Sequence, residues 1–314
     1  MKDYSVKKYQ SSDYIIWNQF VSEAKNGTFL FHRDFMEYHK DRFEDFSMLV
    51  FDSKKNLIAI IPATISKSEV ISHQGLTYGG FVMTKNIGGS NFTLVFQSVL
   101  TFLLSNGITN FTIKMQPPLY SEIGNLGLDF CLFQKGVTAY RKDMALLIDY
   151  SQQHRFHKSK EKHWKKFDDL HLEIKEESSV KVFWEKVLVP RLSEKHQSSP
   201  VHTLDEMEKL KVLFPHSIRQ FSIYKEETIL AGITIFEFEN GVKSQYGATT
   251  KEGEEDRALD FLFMYLIEKF KREGKRFFDM GIVNDGTSYN EGLLKQKEEL
   301  GCAIYSQEHY KIKL

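Results

Sequence analysis

Residues 46–65 read FSMLVFDSKKNLIAIIPATI, and residues 221–236 read FSIYKEETILAGITIF. Each is a short apolar run, a charged turn and a second apolar run, which predicts a β-hairpin. The chain after them repeats as well. GLTYGGFV (75–82) matches KSQYGATT (243–250), with Tyr78-Gly79-Gly80 over Tyr246-Gly247-Ala248. A strongly apolar helical segment follows in each half, FTLVFQSVLTFLLSNG (92–107) and RALDFLFMYLIEKFKREG (257–274). Both end on glycine, Gly107 and Gly274, the residue that best accepts the left-handed conformation at a helix stop. A strand comes next, NFTIKMQ (110–116) and RFFDMGI (276–282). Strand, strand, strand, helix, strand recurs at a nearly constant offset, so the chain reads as an internal duplication.

Helices flank the repeat. WNQFVSEAKNG (17–27) carries apolar residues at helical spacing, and VKVFWEKVLVPRLSEKH (180–196) takes the same place before the second half, with Pro190 expected to kink or break it. TLDEMEKLKVLFP (203–215) opens with Thr203 as N-cap and Glu206 three residues on, a capping box. Between the halves, HRFHKSKEKHWKKFDDL (154–170) reads as a basic helix that bridges or packs across them.

With 314 residues the chain exceeds the usual single domain. The expected division is 1–150 and 151–314, with 151–175 as the basic linking region. An apolar share of 41% and 26 Phe supply ample core. The 42 basic and 42 acidic residues balance, so no whole-molecule field favours DNA or a membrane surface. The cysteines, Cys131 and Cys302, form no disulfide framework or metal-ligand pattern. The N-terminal MKDYSVKKYQSSDY has no apolar signal region, and no run approaches about 18 uninterrupted apolar residues. The expectation is a cytoplasmic globular protein without a transmembrane segment, a metal or a tightly bound cofactor.

A helix, a strand meander, a helix and a further strand, present in two copies, resemble two tandem GNAT domains, and the whole resembles the FemAB branch of that superfamily. GKRFFDMGIVND (274–285), NEGLLKQKEELG (290–301), PVHTLDEMEKLKVLFP (200–215) and SHQGLTYGG (72–80) carry the resemblance. It implies an α+β fold with mixed sheets and transfer of an acyl or aminoacyl group to an amine. The acceptor would be an amino sugar or other small molecule, or a cell-envelope precursor. GNAT enzymes hold the pyrophosphate of CoA on a glycine-rich loop at a helix N-terminus. This chain has TTKEGEEDRALDF (249–261) there, acidic with one glycine, and TKNIGGSNFTLVF (84–96) in the first copy. FemAB-like enzymes also lack that loop and accept from charged tRNA, so acyl-CoA and aminoacyl-tRNA both stand as donors. A remodelled CoA-dependent acetyltransferase and a non-catalytic glycan or nucleotide-sugar binder remain as alternatives.

In this resemblance the chemistry falls where two parallel strands part, 243–249 from 276–281 and, in the first copy, 75–82 from 110–115. Asp279 stands in the apolar run Phe277-Phe278-Asp279-Met280, where a carboxylate is costly unless paired or used. It either orients or deprotonates the acceptor amine, or bonds a helix end or loop. Lys297, shortly before Leu300-Gly301, either meets a phosphate or developing negative charge, or is a solvated helix lysine. Tyr246, Ser244 and Thr249 in the second copy, with Tyr78 and His73 in the first, are strand residues placed to contact substrate or to pack. Asn284, Asp285 and Ser288 follow the last repeat strand in a loop that suits binding and turn chemistry equally. On the basic segment, Arg155, Lys158, Lys162 and Lys165 share one helical face, which would meet phosphates or solvent. Substrate is expected in a cleft between the copies. No Walker A, HExxH, GxSxG or strand-linked GxGxxG is present in the sequence.

Overall fold

Both hairpins of the duplication form. In a computed structural model that describes residues 3–85, 87–120 and 127–314, the strands Met48–Phe51 and Leu57–Ile61 pair antiparallel, as do Ile218–Lys225 and Thr228–Glu237. Residue 86, inside the 84–96 stretch quoted above, lies outside the described residues. The chain divides into two compact units, Met1–Asp143 with Ser306–Leu314, and Met144–Tyr305. These differ from the expected 1–150 and 151–314 at two places: residues 144–150 fall in the second unit, and Ser306–Leu314 return to the first. There His309–Lys313 pairs antiparallel with Asn110–Lys114, and Tyr310 and Ile312 are buried in the first core.

In the first unit, Ser5–Lys8, Met48–Phe51, Leu57–Ile61 and Val82–Met83 form one antiparallel sheet in that order. The helix Gly89–Ser105 packs Phe92, Val95, Phe96, Val99 and Leu103 into the core beside it. It stops at Gly107, whose φ of 76° lets Ile108 N–H reach back to the Leu103 carbonyl at 3.1 Å. The expected 75–82 strand does not exist as such. Gly75 and Gly80 take φ of 79° and 100°, which no extended strand accommodates, and Tyr78 lies in the irregular segment between them. Parallel pairing to Asn110–Lys114 comes instead from Glu69–Ser72.

The second unit follows the repeat more closely. Leu172–Glu177, Ile218–Lys225, Thr228–Glu237 and Gly241–Thr249 are successive antiparallel neighbours. Phe277–Ile282 then pairs parallel to Gly241–Thr249, and residues 145–149 pair antiparallel to it on its other side. The helix Ala258–Arg272 buries Phe261, Leu262, Leu266, Ile267 and Phe270 on this sheet. Each such side chain contributes roughly 1.5–3 kcal/mol relative to exposure, far more than helix propensity could. It ends at Gly274, φ 78°, as the repeat required.

Three local expectations resolve clearly. Thr203 and Glu206 make the reciprocal capping box that starts Leu204–Leu213. Pro190 does not interrupt its helix, because the five residues Trp184–Leu188 just before it form a wider π-type turn. That turn takes up both the proline ring and its missing N–H. The basic segment is helical only over Lys158–Trp164, so Arg155 precedes the helix instead of sharing its face. Lys160 points inward, 3% exposed.

Candidate active site

The second unit's sheet contains a built-in parting. Its parallel ladder covers only Gly241–Lys243 against Phe277–Asp279. Beyond those residues each strand carries its own irregularity. Gly241–Thr249 bulges where Ser244 faces Ile235 and Tyr246 faces Thr234, which leaves Gln245 as the extra residue. Phe277–Ile282 turns at Gly281, whose φ is 78°. Past Lys243 and Asp279 the two strands no longer pair with each other, and the Gly281 and Ile282 carbonyls accept from a side chain instead.

Three charged side chains meet where the ladder ends. Val242 and Phe278 point into the core cluster, so their neighbours Lys243 and Asp279 project to the opposite face, where register sets them side by side. Lys243 Nζ lies 3.1 Å from Asp279 Oδ2, and the Gly281 N–H donates to Asp279 Oδ1 at 2.6 Å. Lys297, carried on the helix Glu291–Glu299, donates to the carbonyls of Gly281 and Ile282 at 3.1 and 3.2 Å. All three are nearly inaccessible, with Lys243 8%, Asp279 2% and Lys297 5% exposed. Burial, and then the charge of Lys243, push the Lys297 ammonium down to about 8 against the opposing pull of Asp279. Cys302 sits close by, its sulfur 3.2 Å from that of Met280. Burial pushes its thiol well above the ordinary range, so it remains a thiol and makes a poor nucleophile.

An open cleft of about 320 Å³ runs along the C-terminal end of Gly241–Thr249 and the start of Ala258–Arg272. Gly247, Ala248, Thr249 and Gln296 line it, together with Arg191, Lys195 and Arg257. Glu254 pairs with both Arg191 and Lys195, and Asp260 holds Arg257 Nη2 at 2.9 Å. Asp260 also accepts from Lys160 at 2.7 Å and from Gln296 at 3.2 Å. Burial works to raise the Asp260 carboxyl, and the Lys160 hydrogen bond outweighs it, so Asp260 titrates below its ordinary range. The short helix Lys251–Glu255 presents no open anion nest: Thr250 already accepts from Gly253 N–H, and Glu252 and Glu254 occupy its first turn. Cations at this cleft therefore come from side chains.

Of the residues singled out in the sequence, Asp279 and Lys297 are brought together, and Lys243 joins them. Tyr246 is half-buried, its hydroxyl hydrogen-bonded to His202 Nδ1 at 2.5 Å and its ring edge-on to Trp184. Burial pushes its phenol up to about 12. Ser244 lies in the parting strand, whereas Thr249 donates its hydroxyl to the Leu230 carbonyl. Asn284 accepts from Met144 N–H at 2.7 Å, while Asp285 and Ser288 are exposed on a small hairpin. Arg155 and Lys158 are exposed. Tyr78 and His73 belong to the first unit: Tyr78 is fully buried, bonding Thr28 and packing edge-on to Phe31 and Tyr120, and His73 lines a separate cavity. Among the described residues, no group of three or more His, Cys, Asp or Glu is placed to hold a metal, and no helix is long and apolar enough to cross a membrane.

No family profile and no curated protein matches the sequence. Solved structures do. The fold is that of tandem GNAT-type proteins. Over 99% of its length the chain is similar to FemX, covering 97% of that chain at a TM-score of 0.70 and 11% identity. It is also similar to the C-terminal domain of a protein described as a lysylphosphatidylglycerol synthetase from Agrobacterium fabrum, at a TM-score of 0.62 and 11% identity over 96% of this chain and 91% of that one. A tandem GNAT protein from the clavulanic acid biosynthesis pathway matches at 0.54 and 9% identity, over 99% and 98%. The likeness to the GNAT superfamily and its FemAB branch holds at the level of the fold.

Proposed function

We propose that this protein is an N-acyltransferase, moving an acyl or aminoacyl group from a phosphate-bearing donor to an amine where Gly241–Thr249 and Phe277–Ile282 part. The observation that supports this most is the set of two buried ammonium groups against one carboxylate at the end of the ladder. Acyl transfer passes through a tetrahedral intermediate with negative charge on oxygen, and fixed positive charge in a dry site stabilises it strongly. The amine nitrogen attacks the acyl carbonyl carbon, forming C–N, and the carbonyl electrons move to an oxygen facing Lys243 and Lys297. Collapse breaks the C–S bond of a thioester or the C–O bond of an aminoacyl ester. The leaving thiolate or alkoxide takes up the proton that the amine gives away. Asp279 fixes Lys243 and the Gly281 turn, an orienting part instead of a direct base.

Arg191, Lys195 and Arg257 suit the donor's phosphates, which acyl-CoA and charged tRNA both carry. The acidic Lys251–Glu255 turn disfavours a pyrophosphate held on backbone N–H groups, and so favours an aminoacyl donor. The similarity to FemX and to the lysylphosphatidylglycerol synthetase domain supports the same choice, and the similarity to FemX suits a small molecule or envelope precursor as acceptor.

Thermal unfolding with acetyl-CoA, longer acyl-CoAs and charged tRNAs tests the reading. A donor at a hundred times its Kd adds about 2.7 kcal/mol of stability. A response to charged tRNA, followed by amide formation that Lys297→Met suppresses, is the expected result. A response confined to CoA esters would reassign the donor. Silence from every donor, or unchanged turnover in folded Lys297→Met, would overturn the assignment.

A further inference from the structure

A cavity of about 380 Å³ in the first unit takes no part in acyl transfer as read above. His73 lines it, 6% exposed, with its Nδ1 hydrogen-bonded to the Gln74 carbonyl. A carbonyl only accepts, so Nδ1 carries the ring hydrogen and Nε2 is left as a bare lone pair. Nε2 makes no hydrogen bond to any described residue. Burial, then the neighbouring His39, push His73 down to about 3, so the ring stays neutral and Nε2 stays an acceptor through the physiological range. His39 stacks on it with ring centroids 5.1 Å apart.

The rest of the wall is rich in acceptors. Glu37, Glu44 and Asp45 bring three carboxylates against the cations Arg33 and Lys40. Arg33 is 4% exposed and is used internally, bonding Glu37 at 2.6 Å, Asp45 at 2.7 Å and Ser47 at 3.2 Å while lying 3.8 Å from the centre of the Tyr9 ring. A ligand that satisfies this wall has to supply hydrogen-bond donors and positive charge. We propose that the cavity binds a small molecule through a protonated amine, which donates to His73 Nε2 and is balanced by the carboxylates of Glu37, Glu44 and Asp45. The proposal stands independently of the acyl-transfer reading.

The test uses the full chain labelled with 15N-histidine, titrated with 1,5-diaminopentane and, separately, with its neutral isostere 1,5-pentanediol. The His73 Nε2 resonance is recognised by its absence from the spectrum of His73→Gln. The diamine should move that resonance saturably, the diol should not, and the double variant Glu37→Gln/Glu44→Gln should bind roughly tenfold more weakly. Equal responses to diamine and diol, an unmoved His73 signal, or undiminished affinity in the folded double variant would each overturn the proposal. If the variant fails to fold, the contrast between diamine and diol on the native chain decides.

Discussion

Lys243 and Asp279 are the last residues to face each other across the parallel ladder, and their side chains close that ladder with a 3.1 Å ion pair. Both are buried, so removing either leaves the other without its ion-pair partner in a dry position. Asp279→Asn would take the counter-charge from two ammonium groups in a dry site, and Lys243→Met would take the ion-pair partner from a carboxylate that the Gly281 N–H also holds. Either single change should cost about 3 kcal/mol in denaturant unfolding. The double variant Lys243→Met/Asp279→Leu should cost less than the sum by more than about 1 kcal/mol. Additive losses would mean that the pair does not act as a unit.

Lys297 links pH to stability and to turnover with opposite signs. Its ammonium titrates near 8 in the folded chain against 10.5 for an ordinary lysine. Between those values the unfolded chain binds the extra proton, so unfolding becomes less favourable as pH rises. The stability of the native chain relative to Lys297→Met should therefore climb from about pH 8 to about 10.5 and then level. Turnover depends on the charged form and should fall through the same lower value. An alkaline limb that survives unchanged in Lys297→Arg would remove Lys297 from the titration.

What could be read beforehand follows how local the determining physics is. Helix stops at Gly107 and Gly274 and the Thr203–Glu206 box are decided by a few adjacent residues, and they form where turn and cap chemistry place them. The segment 75–82 looked like a strand because Tyr78-Gly79-Gly80 aligns with its counterpart, yet pairing to Asn110–Lys114 is a long-range choice that Glu69–Ser72 satisfies instead. Within the site, Asp279 stands out as a charge in an apolar strand, whereas Lys297 is singled out only by the resemblance of 290–301 to the FemAB closing segment and otherwise reads as a solvated helix lysine. Lys243 carries the same signal, a charge beside Val242 in a buried strand, but the polar residues that follow it, Ser244 and Gln245, mask it. Arg191 and Lys195, one turn apart on a single helix, meet Arg257 at one cleft across more than sixty residues of chain, which no local pattern could disclose.

Two glycines separate strain from collision. A Cβ at Gly79 would stand 1.9 Å from the Ser72 carbonyl oxygen, a backbone atom that no rotamer change can move. Gly281 has φ 78°, but a Cβ there would lie 3.7 Å from Lys243 Nζ and 4.0 Å from Lys297 Nζ, ordinary contact distances. Gly79→Ala should destabilise the first unit by about 3 kcal/mol, and Gly281→Ala should cost about 1–2 kcal/mol through backbone strain. Because Gly281 turns the strand at the parting, its variant should also lose turnover while remaining folded. Full activity in Gly281→Ala would show that the turn does not shape the site.

The basic segment makes the sharpest contrast between sequence expectation and packing. Lys160 is buried and bonds Asp260 at 2.7 Å, with Glu299 at 3.4 Å, while Lys158 and Lys162 are exposed. Asp260 also steadies Arg257 and Gln296 at the cleft, so Lys160 acts through it on the cleft proposed for the donor. Lys160→Met should cost about 3 kcal/mol, because it leaves Asp260 to its Arg257 and Gln296 contacts alone in a buried position. It should also raise the KM for the donor more than it lowers kcat. Lys158→Ala and Lys162→Ala should change stability by no more than about 0.5 kcal/mol. If the donor KM instead rises with the exposed lysines and ignores Lys160, phosphate is met on the outer face of this segment and the cleft beside Arg257 is not the donor pocket.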